Sequence, residues 1–322
     1  MTRPRGLVLG WLPRSRRAET IARRLGWELR LLARPGFRRP WTAPFVYPLM
    51  ALRTVALLLR LRPRAIVVVA PPFVAPLVAV PLARLLGARV AVDVHSGALL
   101  GRAWRPLLPV LYAVCRWAGT ALVTLPSLAE RLRSHRVDPL VMPDPLPDLA
   151  VSGRSMGASP DGLPHVVAVC GWGDDEPLEE LVEAARGRPF HLSLTGRPRR
   201  RFDLPPNVTL AGFVDEAAYA RLLSRADAIV CLTRRDETLL CASWEALSVA
   251  RPLVLSDTAA QRATFGPGVT YVAPDPASIG AGIETVLARQ RDAERSSAEL
   301  ATRFEAEGER NLAALRARLD PA

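Results

Sequence analysis

The sequence predicts an α/β protein that is built from two Rossmann-like domains. Its 322 residues exceed the length that one hydrophobic core usually supports. Short apolar runs alternate with segments of helical spacing, which is the order of a doubly wound parallel sheet. A stretch rich in Ser, Gly and Pro interrupts this alternation, which then starts again. We therefore predict a first domain at residues 1–150, a linker at 151–163, a second domain at 164–292 and a helical tail at 293–322 that packs back on the first domain.

The first domain opens with an apolar run that ends in glycine and precedes a segment of helical spacing. Each later apolar run is followed by another helix-compatible segment, so a parallel sheet is expected. The predicted strands are Gly6–Gly10, Trp27–Leu32, Ala65–Ala70, Arg89–Val94 and Thr120–Thr124. The predicted helices are Ser15–Leu25, Leu49–Leu61, Pro76–Leu86, Leu107–Ala118 and Ser127–Ser134.

The second domain repeats this alternation, and the tail that follows it is highly charged. Its predicted strands are His165–Cys170, Phe190–Thr195, Val208–Gly212, Ala228–Leu232 and Pro252–Ser256. Its predicted helices are Leu178–Ala185, Glu216–Ser224, Ser243–Val249 and Pro276–Gln290, and Ala293–Leu319 is predicted to form one or two exposed helices.

The charge of the chain is strongly basic. The formal net charge is +12, and all 43 basic residues are arginine. Phosphorylated substrates, anionic membranes and nucleic acids are all compatible with this excess. Codon bias in a GC-rich genome explains it equally well, because alanine and proline are also abundant. The sequence has no nucleic-acid-binding motif and no aromatic residues interleaved with the basic ones, so we expect no nucleic-acid partner.

Two features predict a cytoplasmic protein. The apolar run Gly6–Leu12 is too short for the core of a signal peptide. The cysteines form no CxxC pair and lie in or beside apolar runs, so Cys115, Cys170, Cys231 and Cys241 are predicted to be buried thiols of a reducing compartment. The segment Trp41–Leu61 mixes aromatic and apolar residues with flanking arginines, which is typical of a helix at the inner face of a membrane. A buried core helix accounts for this pattern equally well.

Two glutamates in the second domain are the sharpest functional signal. Glu237 and Glu245 are separated by seven residues, with Glu237 on a loop after a predicted strand and Glu245 on the next predicted helix. A carboxylate in this position accepts hydrogen bonds from two vicinal ribose hydroxyls, and the start of the helix suits a diphosphate. By spacing alone, two solvated surface glutamates are the favoured interpretation.

The context of these glutamates resembles the E-x7-E signature of GT-B glycosyltransferases, in their family 4-like (group 1) branch. The segment R-A-D-A-I-V precedes the pair and E-A-L-S-V-A-R-P-L-V contains the second glutamate. The resemblance implies the GT-B fold, in which two Rossmann-like domains face a central cleft. It also implies that Glu245 binds the donor ribose, and that Glu237 with the adjacent Thr238 and Leu239 lies at the sugar and phosphates. The family usually has glycines after the first glutamate, where this chain has Thr238, Leu239 and Leu240.

Two further loops of the second domain are candidate donor-binding elements. Gly196 and Arg197 follow a predicted strand and open a run of arginines, whose guanidinium groups bind phosphate oxygens in pairs. A solvated basic loop is the alternative. Gly171 lies in a glycine loop that lets backbone amides approach phosphate, although an ordinary turn explains it as well. Relatives place basic residues near this loop, where this chain has Asp174, Asp175 and Glu176.

The first domain offers a strand-end histidine. Asp93 and His95 close a predicted strand, where ligands bind in open α/β sheets. The pair resembles the histidine motif of the family, which implies that His95 contacts the transferred sugar and that Asp93 orients it or acts as a base. A structural histidine is the alternative. Arg16 and Arg17 lie where an acceptor approaches in this fold, and we expect them to bind an acceptor phosphate.

These observations favour a glycosyltransferase that uses a nucleotide sugar, with a UDP- or GDP-sugar as donor and no other cofactor. The acceptor is expected to be a saccharide, a lipid-linked saccharide or a small molecule. No DxD-type metal motif stands at a strand end, so we predict a metal-independent reaction, and the resemblance implies retention of configuration. The departures from the family pattern leave one alternative, a catalytically inactive binding or scaffold protein that partners another glycosyltransferase.

Overall fold

The computed structural model describes residues 4–33, 42–149, 162–199, 201 and 203–319. It divides into two compact domains, with residues up to Pro145 and from Ala306 onwards in the first and Leu146–Glu305 in the second. Most of the predicted linker at 151–163 lies outside the described residues. Leu146 and Leu149 already pack in the core of the second domain, so the boundary lies before the predicted one.

The first domain contains a six-stranded parallel sheet in the order β2-β1-β3-β4-β5-β6. Its strands are β1 (Gly6–Gly10), β2 (Glu28–Leu31), β3 (Ala65–Ala70), β4 (Arg89–Val94), β5 (Gly119–Val123) and β6 (Pro139–Val141). Its helices are α1 (Arg16–Leu25), α2 (Ala43–Leu61), α3 (Val74–Leu85), α4 (Ser96–Leu100), α5 (Leu108–Ala118) and α6 (Pro126–Ser134), with a 3-10 helix at Arg102–Leu107.

The second domain contains another six-stranded parallel sheet, in the order β12-β11-β10-β7-β8-β9. Its strands are β7 (His165–Ala168), β8 (His191–Thr195), β9 (Val208–Gly212), β10 (Ala228–Cys231), β11 (Leu253–Ser256) and β12 (Thr270–Val272). Its helices are α7 (Leu178–Ala185), α8 (Glu216–Arg225), α9 (Cys241–Ser248), α10 (Ala259–Phe265) and α11 (Pro276–Ala288), followed by α12 (Gln290–Leu319). The fold predicted from the alternation, two parallel sheets with flanking helices, is confirmed.

The central strands are apolar on both faces because helices cover both sides of each sheet. All six residues of β3 are buried, which is typical of a central parallel strand. The helix boundaries follow local capping: the Ser15 side chain accepts a hydrogen bond from the Ala18 amide at the start of α1, and Gly26 ends the helix with a positive φ of 67°.

The last helix packs on the first domain as predicted, but it is less exposed than predicted. We expected one or two exposed helices, but α12 is a single helix of 30 residues with buried positions in both domains. Leu312, Leu315 and Leu319 are buried in the core of the first domain together with Ile21 of α1. These leucines follow a spacing of three and four residues, so they form one apolar stripe within an otherwise charged sequence.

Candidate functional site

The loops of the second domain that carry the predicted site residues follow neighbouring strands. The strand order of its sheet reverses between β7 and β10, and open α/β sheets bind ligands at the carboxyl ends of strands at such a point. The loop with Gly171 follows β7, the loop with Glu237 follows β10, and Gly196 follows β8 beside β7. The sheet therefore brings these three loops to one edge.

Glu245 lies on α9, and 8% of the residue is exposed. The Tyr219 hydroxyl of α8 donates a hydrogen bond to its Oε2 atom at 2.5 Å. Burial and this hydrogen bond hold the carboxylate in one orientation, so its acceptor atoms point in a defined direction. No side chain caps the N-terminus of α9, where Leu240 is the capping residue.

The loop between β10 and α9 contains the other predicted residues of this motif. Glu237 is half-buried, as are Thr238 and Leu239. Leu239 packs against the core of the domain, and the Thr238 carbonyl accepts a hydrogen bond from the Gln261 side chain at 3.4 Å. Where the resemblance implies glycines, this loop has residues that anchor it to the domain.

The loop after β7 holds its own carboxylate. The amide of Gly171 donates to both carboxylate oxygens of Glu176 at 2.9 and 3.1 Å, and the Trp172 amide donates at 3.0 Å. Burial raises the pKa of Glu176, although these amide hydrogen bonds oppose the shift. The Gly171 amide, which we expected to be open to a phosphate, is therefore already engaged.

The acidic residues of this loop have structural partners. The Thr233 hydroxyl donates a hydrogen bond to Asp175 at 2.7 Å, and Arg235 lies 3.4 Å from the same carboxylate. The Arg234 amide donates to the Asp175 carbonyl. These bonds join the loop after β7 to the loop after β10, so Asp175 has a structural role in this loop.

Gly196 occupies a position that only glycine fits. Its φ is +86°, and a Cβ atom there would lie 2.3 Å from the carbonyl oxygen of Cys170. Arg197 is exposed, and its guanidinium lies over the ring of Phe213 at 5.0 Å. The close approach of the loops after β7 and β8 therefore depends on Gly196, while Arg197 keeps its donors accessible.

A buried ionic cluster lies at the end of β4 in the first domain. Arg17 Nε lies 3.0 Å from both carboxylate oxygens of Asp93, and Arg17 Nη1 lies 2.8 Å from Asp144. Arg17 and Asp93 are 3% and 1% exposed. Arg17 is therefore enclosed between two carboxylates and is not available to an acceptor phosphate, which corrects that expectation. Arg16 is half-buried at the first residue of α1.

His95 extends this cluster towards the surface. Its Nε2 atom lies 3.3 Å from Asp93 Oδ2, and its side chain is 34% exposed. Burial alone would raise the pKa of Asp93, but the charge of Arg17 and the nearby His95 ring lower it to about 2. A carboxylate with so low a pKa is a poor base, so Asp93 is suited to orient the His95 ring and not to take a proton.

Sequence reasoning missed several partners. Tyr219 bonds Glu245 across 26 positions of the chain, Glu176 closes the glycine loop, and Asp144 completes the cluster around Arg17. No local spacing indicates such pairs. Cys241, predicted to be buried, is exposed at the first residue of α9, whereas the other cysteines are buried.

Two features of the described residues concern metal ions and membranes. No group of three or more His, Cys, Asp and Glu side chains in this part of the chain is arranged to hold a metal ion. One helix in it, Pro44–Leu61 within α2, is long and apolar enough to cross a membrane by length and composition alone.

The chain has two parallel six-stranded sheets with candidate site loops at the carboxyl ends of the strands. This is the fold of GT-B glycosyltransferases. Residues 168–289 match the family model described as "Glycosyl transferases group 1", so this part of the chain is a group 1 glycosyltransferase domain. The glycosyltransferase resemblance found in the sequence is thereby confirmed. No curated protein matches the chain.

Solved structures resemble the whole chain at low sequence identity. Sucrose-phosphate synthase from Thermosynechococcus elongatus has a TM-score of 0.74 and 16% identity, with 97% of each chain covered. The protein OtsA has a TM-score of 0.72 and 10% identity, covering 99% of this chain and 100% of its own. Alr3699/HepE from Anabaena, in complex with UDP and glucose, has a TM-score of 0.66 and 13% identity, covering 97% and 99%. At these identities the likeness establishes the fold.

Proposed function

We propose that the protein transfers a sugar from a nucleotide sugar, with a UDP- or GDP-sugar as donor. The observation that carries this proposal is the buried Glu245, oriented by the Tyr219 hydroxyl within the segment that matches the family model. A fixed carboxylate is complementary to a pair of ribose hydroxyls. The presence of UDP and glucose in the Anabaena relative supports the same donor class.

The donor phosphates would bind near Arg197 and the uncapped N-terminus of α9. Arg197 is exposed and carries no carboxylate partner among the described residues, and helix-terminal amides favour anions. Gly196 has no side chain, so the backbone of its loop can lie close to the phosphates. The Gly171 amide contributes to the shape of the loop through Glu176 and not by donating to a phosphate. Glu237 would contact the sugar.

Catalysis would rest on positioning and on electrostatic stabilisation of the departing nucleoside diphosphate. We propose that arginine and backbone amides supply this stabilisation without a metal ion, and that configuration is retained. In the first domain, His95 would contact the transferred sugar, while Asp93 and Arg17 hold its ring in place. The acceptor would be a saccharide, a lipid-linked saccharide or a small molecule.

A cytoplasmic location is part of this proposal, because buried free thiols are typical of a reducing compartment. The alternative is a binding or scaffold protein that retains the fold and has lost transfer. The engaged Gly171 amide and the acidic loop after β7 are the observations that favour this alternative.

Calorimetric titration of the full chain with UDP-, GDP- and ADP-sugars tests the donor proposal. We expect saturable binding of one donor that Glu245→Gln abolishes and that the control Glu299→Gln on α12 leaves unchanged. A folded wild type that binds none of them would refute the proposal. Release of nucleotide from the bound donor distinguishes a glycosyltransferase from a scaffold protein, because binding without any turnover favours the scaffold.

A further inference from the structure

One face of the first domain is unusually apolar for a surface. Helices α2, α3 and α5 pack side by side over the sheet, together with the 3-10 helix that precedes α5, and we call their outer surface the α2–α3–α5 face. Eleven large apolar residues are exposed in the described part of the chain, and nine of them lie on this face. They are Phe45, Leu49, Leu52, Leu59, Leu77, Leu85, Leu107, Val110 and Trp117. Exposed apolar residues that are concentrated on one face are typical of an interaction site.

Helix α2 is apolar on two opposite sides. Met50, Thr54 and Leu58 face the domain and are at most 1% exposed, and Thr54 accepts a hydrogen bond from the Trp11 indole. Phe45 and Leu52 are 81% and 67% exposed. At about 100° per residue, the exposed residues centre on the side diametrically opposite the buried ones. The outward stripe is therefore a continuous band along the helix axis and not an edge of the core.

The charges of this face have one sign. Between Glu28 and Glu130 the sequence contains a single acidic residue, Asp93, and it is buried against Arg17. Arg53, Arg60 and other exposed arginines flank the apolar band, and neither of these two has a carboxylate partner among the described residues. The face is thus apolar and cationic, without a compensating negative charge.

Positive charge continues beyond the ends of α3 and α5. A cavity of about 280 Å³ opens there, lined by Arg84, Arg89 and Arg318. Arg318 lies 3.1 Å from Asp138, and neither Arg84 nor Arg89 has a carboxylate partner in the described residues. A phosphate group entering this cavity would meet two unpaired guanidinium groups.

We propose that the α2–α3–α5 face docks on a membrane surface that contains anionic lipid. The apolar band would enter the boundary between headgroups and acyl chains, and the arginines would contact lipid phosphates. A second copy of the chain fits less well, because a symmetric contact would place unpaired arginines against arginines. This inference goes beyond sugar transfer and does not depend on it.

The helix is suited to lie on the membrane and not to cross it. Its apolar length would suffice for a span. However, crossing would remove Met50, Thr54 and Leu58 from the core and break the Thr54 bond to Trp11. Arg53 and Arg60 would also have to enter the hydrocarbon.

Sedimentation of the full chain with vesicles tests this proposal. We use phosphatidylcholine vesicles with and without about one third phosphatidylglycerol, and we expect binding to the anionic vesicles that weakens as salt is raised. Phe45→Ser with Leu52→Ser should abolish binding. Arg53→Gln with Arg60→Gln should weaken it about 25-fold, at about fivefold for each arginine.

The second domain supplies matched controls. Leu210→Ser with Phe213→Ser removes exposed apolar residues, and Arg221→Gln with Arg225→Gln removes exposed charges, so neither pair should affect vesicle binding. Thermal melts confirm that each variant is folded. Failure of the folded wild type to bind, equal binding to neutral vesicles, or equal loss in the controls would overturn the proposal. A dimer in light scattering that Phe45→Ser with Leu52→Ser dissolves would assign the face to a second copy instead.

Discussion

Replacing Arg17 by glutamine should destabilise the first domain strongly and in a pH-dependent way. The Arg17 guanidinium is nearly fully buried and bonds Asp93 and Asp144 at 2.8 to 3.0 Å. The variant leaves two buried carboxylates without their cation. Breaking a buried ion pair by removing one partner typically costs about 3–5 kcal/mol.

The pH dependence follows from the pKa of Asp93, which is lowered from its ordinary value of 3.8 to about 2 in the folded chain. A lowered folded-state pKa means that the ionised Asp93 stabilises the fold above the unfolded pKa. This contribution, of about 2 kcal/mol, is lost as pH falls from about 4 to about 2. Without Arg17, burial would raise the pKa of Asp93 instead. Protonation of Asp93 would then remove the buried unpaired charge and make the variant less unstable.

Denaturant unfolding at about pH 7 and about pH 5, where wild type keeps the contribution of Asp93, measures the cost of the substitution and its change on protonation in the variant. We expect the difference in the free energy of unfolding between wild type and Arg17→Gln to be smaller at the lower pH. Arg17→Gln combined with Asp93→Asn should recover part of the loss, because one buried charge is gone. Arg105→Gln, an exposed arginine of the same domain, should unfold like wild type. An Arg17→Gln variant as stable as wild type, or a gap that is constant with pH, would refute the reasoning.

Three further outcomes are expected in the second domain. Tyr219→Phe removes the hydrogen bond to Glu245 and should weaken donor binding about tenfold in calorimetry; unchanged affinity would contradict its orienting role. Gly196→Ala should lower the free energy of unfolding by at least about 2 kcal/mol because of its φ and the approach to a carbonyl, whereas Gly187→Ala, with φ of +69° and open space, should cost about 1 kcal/mol. Glu176→Gln keeps an acceptor for the amides and removes a charge, so donor affinity should rise severalfold; unchanged affinity would show that this loop lies away from the phosphates.

The sequence was informative about the fold because parallel strands that are covered on both faces are continuous apolar runs. β1, β3, β4 and β9 have the predicted bounds. The missed strands, β6 and β12, have three residues each, which is too short for a periodic signal. Helix α2 begins at Ala43, six residues before the predicted start, since its apolar residues lie on two sides and show no single stripe.

Only those residues of the candidate site that lie in a recognisable sequence segment were predictable. Glu245 and Gly196 could be proposed from the sequence because each has a recognisable neighbourhood in it. Their partners come from other elements, and only tertiary packing brings Tyr219 to Glu245 or Arg17 to Asp93, which are 76 positions apart. Arg17 shows the consequence most clearly, because a basic residue in a turn looks like an exposed phosphate ligand until its two carboxylate neighbours are known.

The carboxylate of Glu176 acts within its loop as a built-in ligand. Its bonds to the amides of Gly171 and Trp172 hold that backbone in the shape an external anion would otherwise have to impose. The conformational entropy of ordering the loop is thus lost when the chain folds and not when a substrate arrives. Affinity for any ligand at this edge of the sheet consequently depends on the side chains that remain accessible to it. The loop itself contributes a surface that is already ordered.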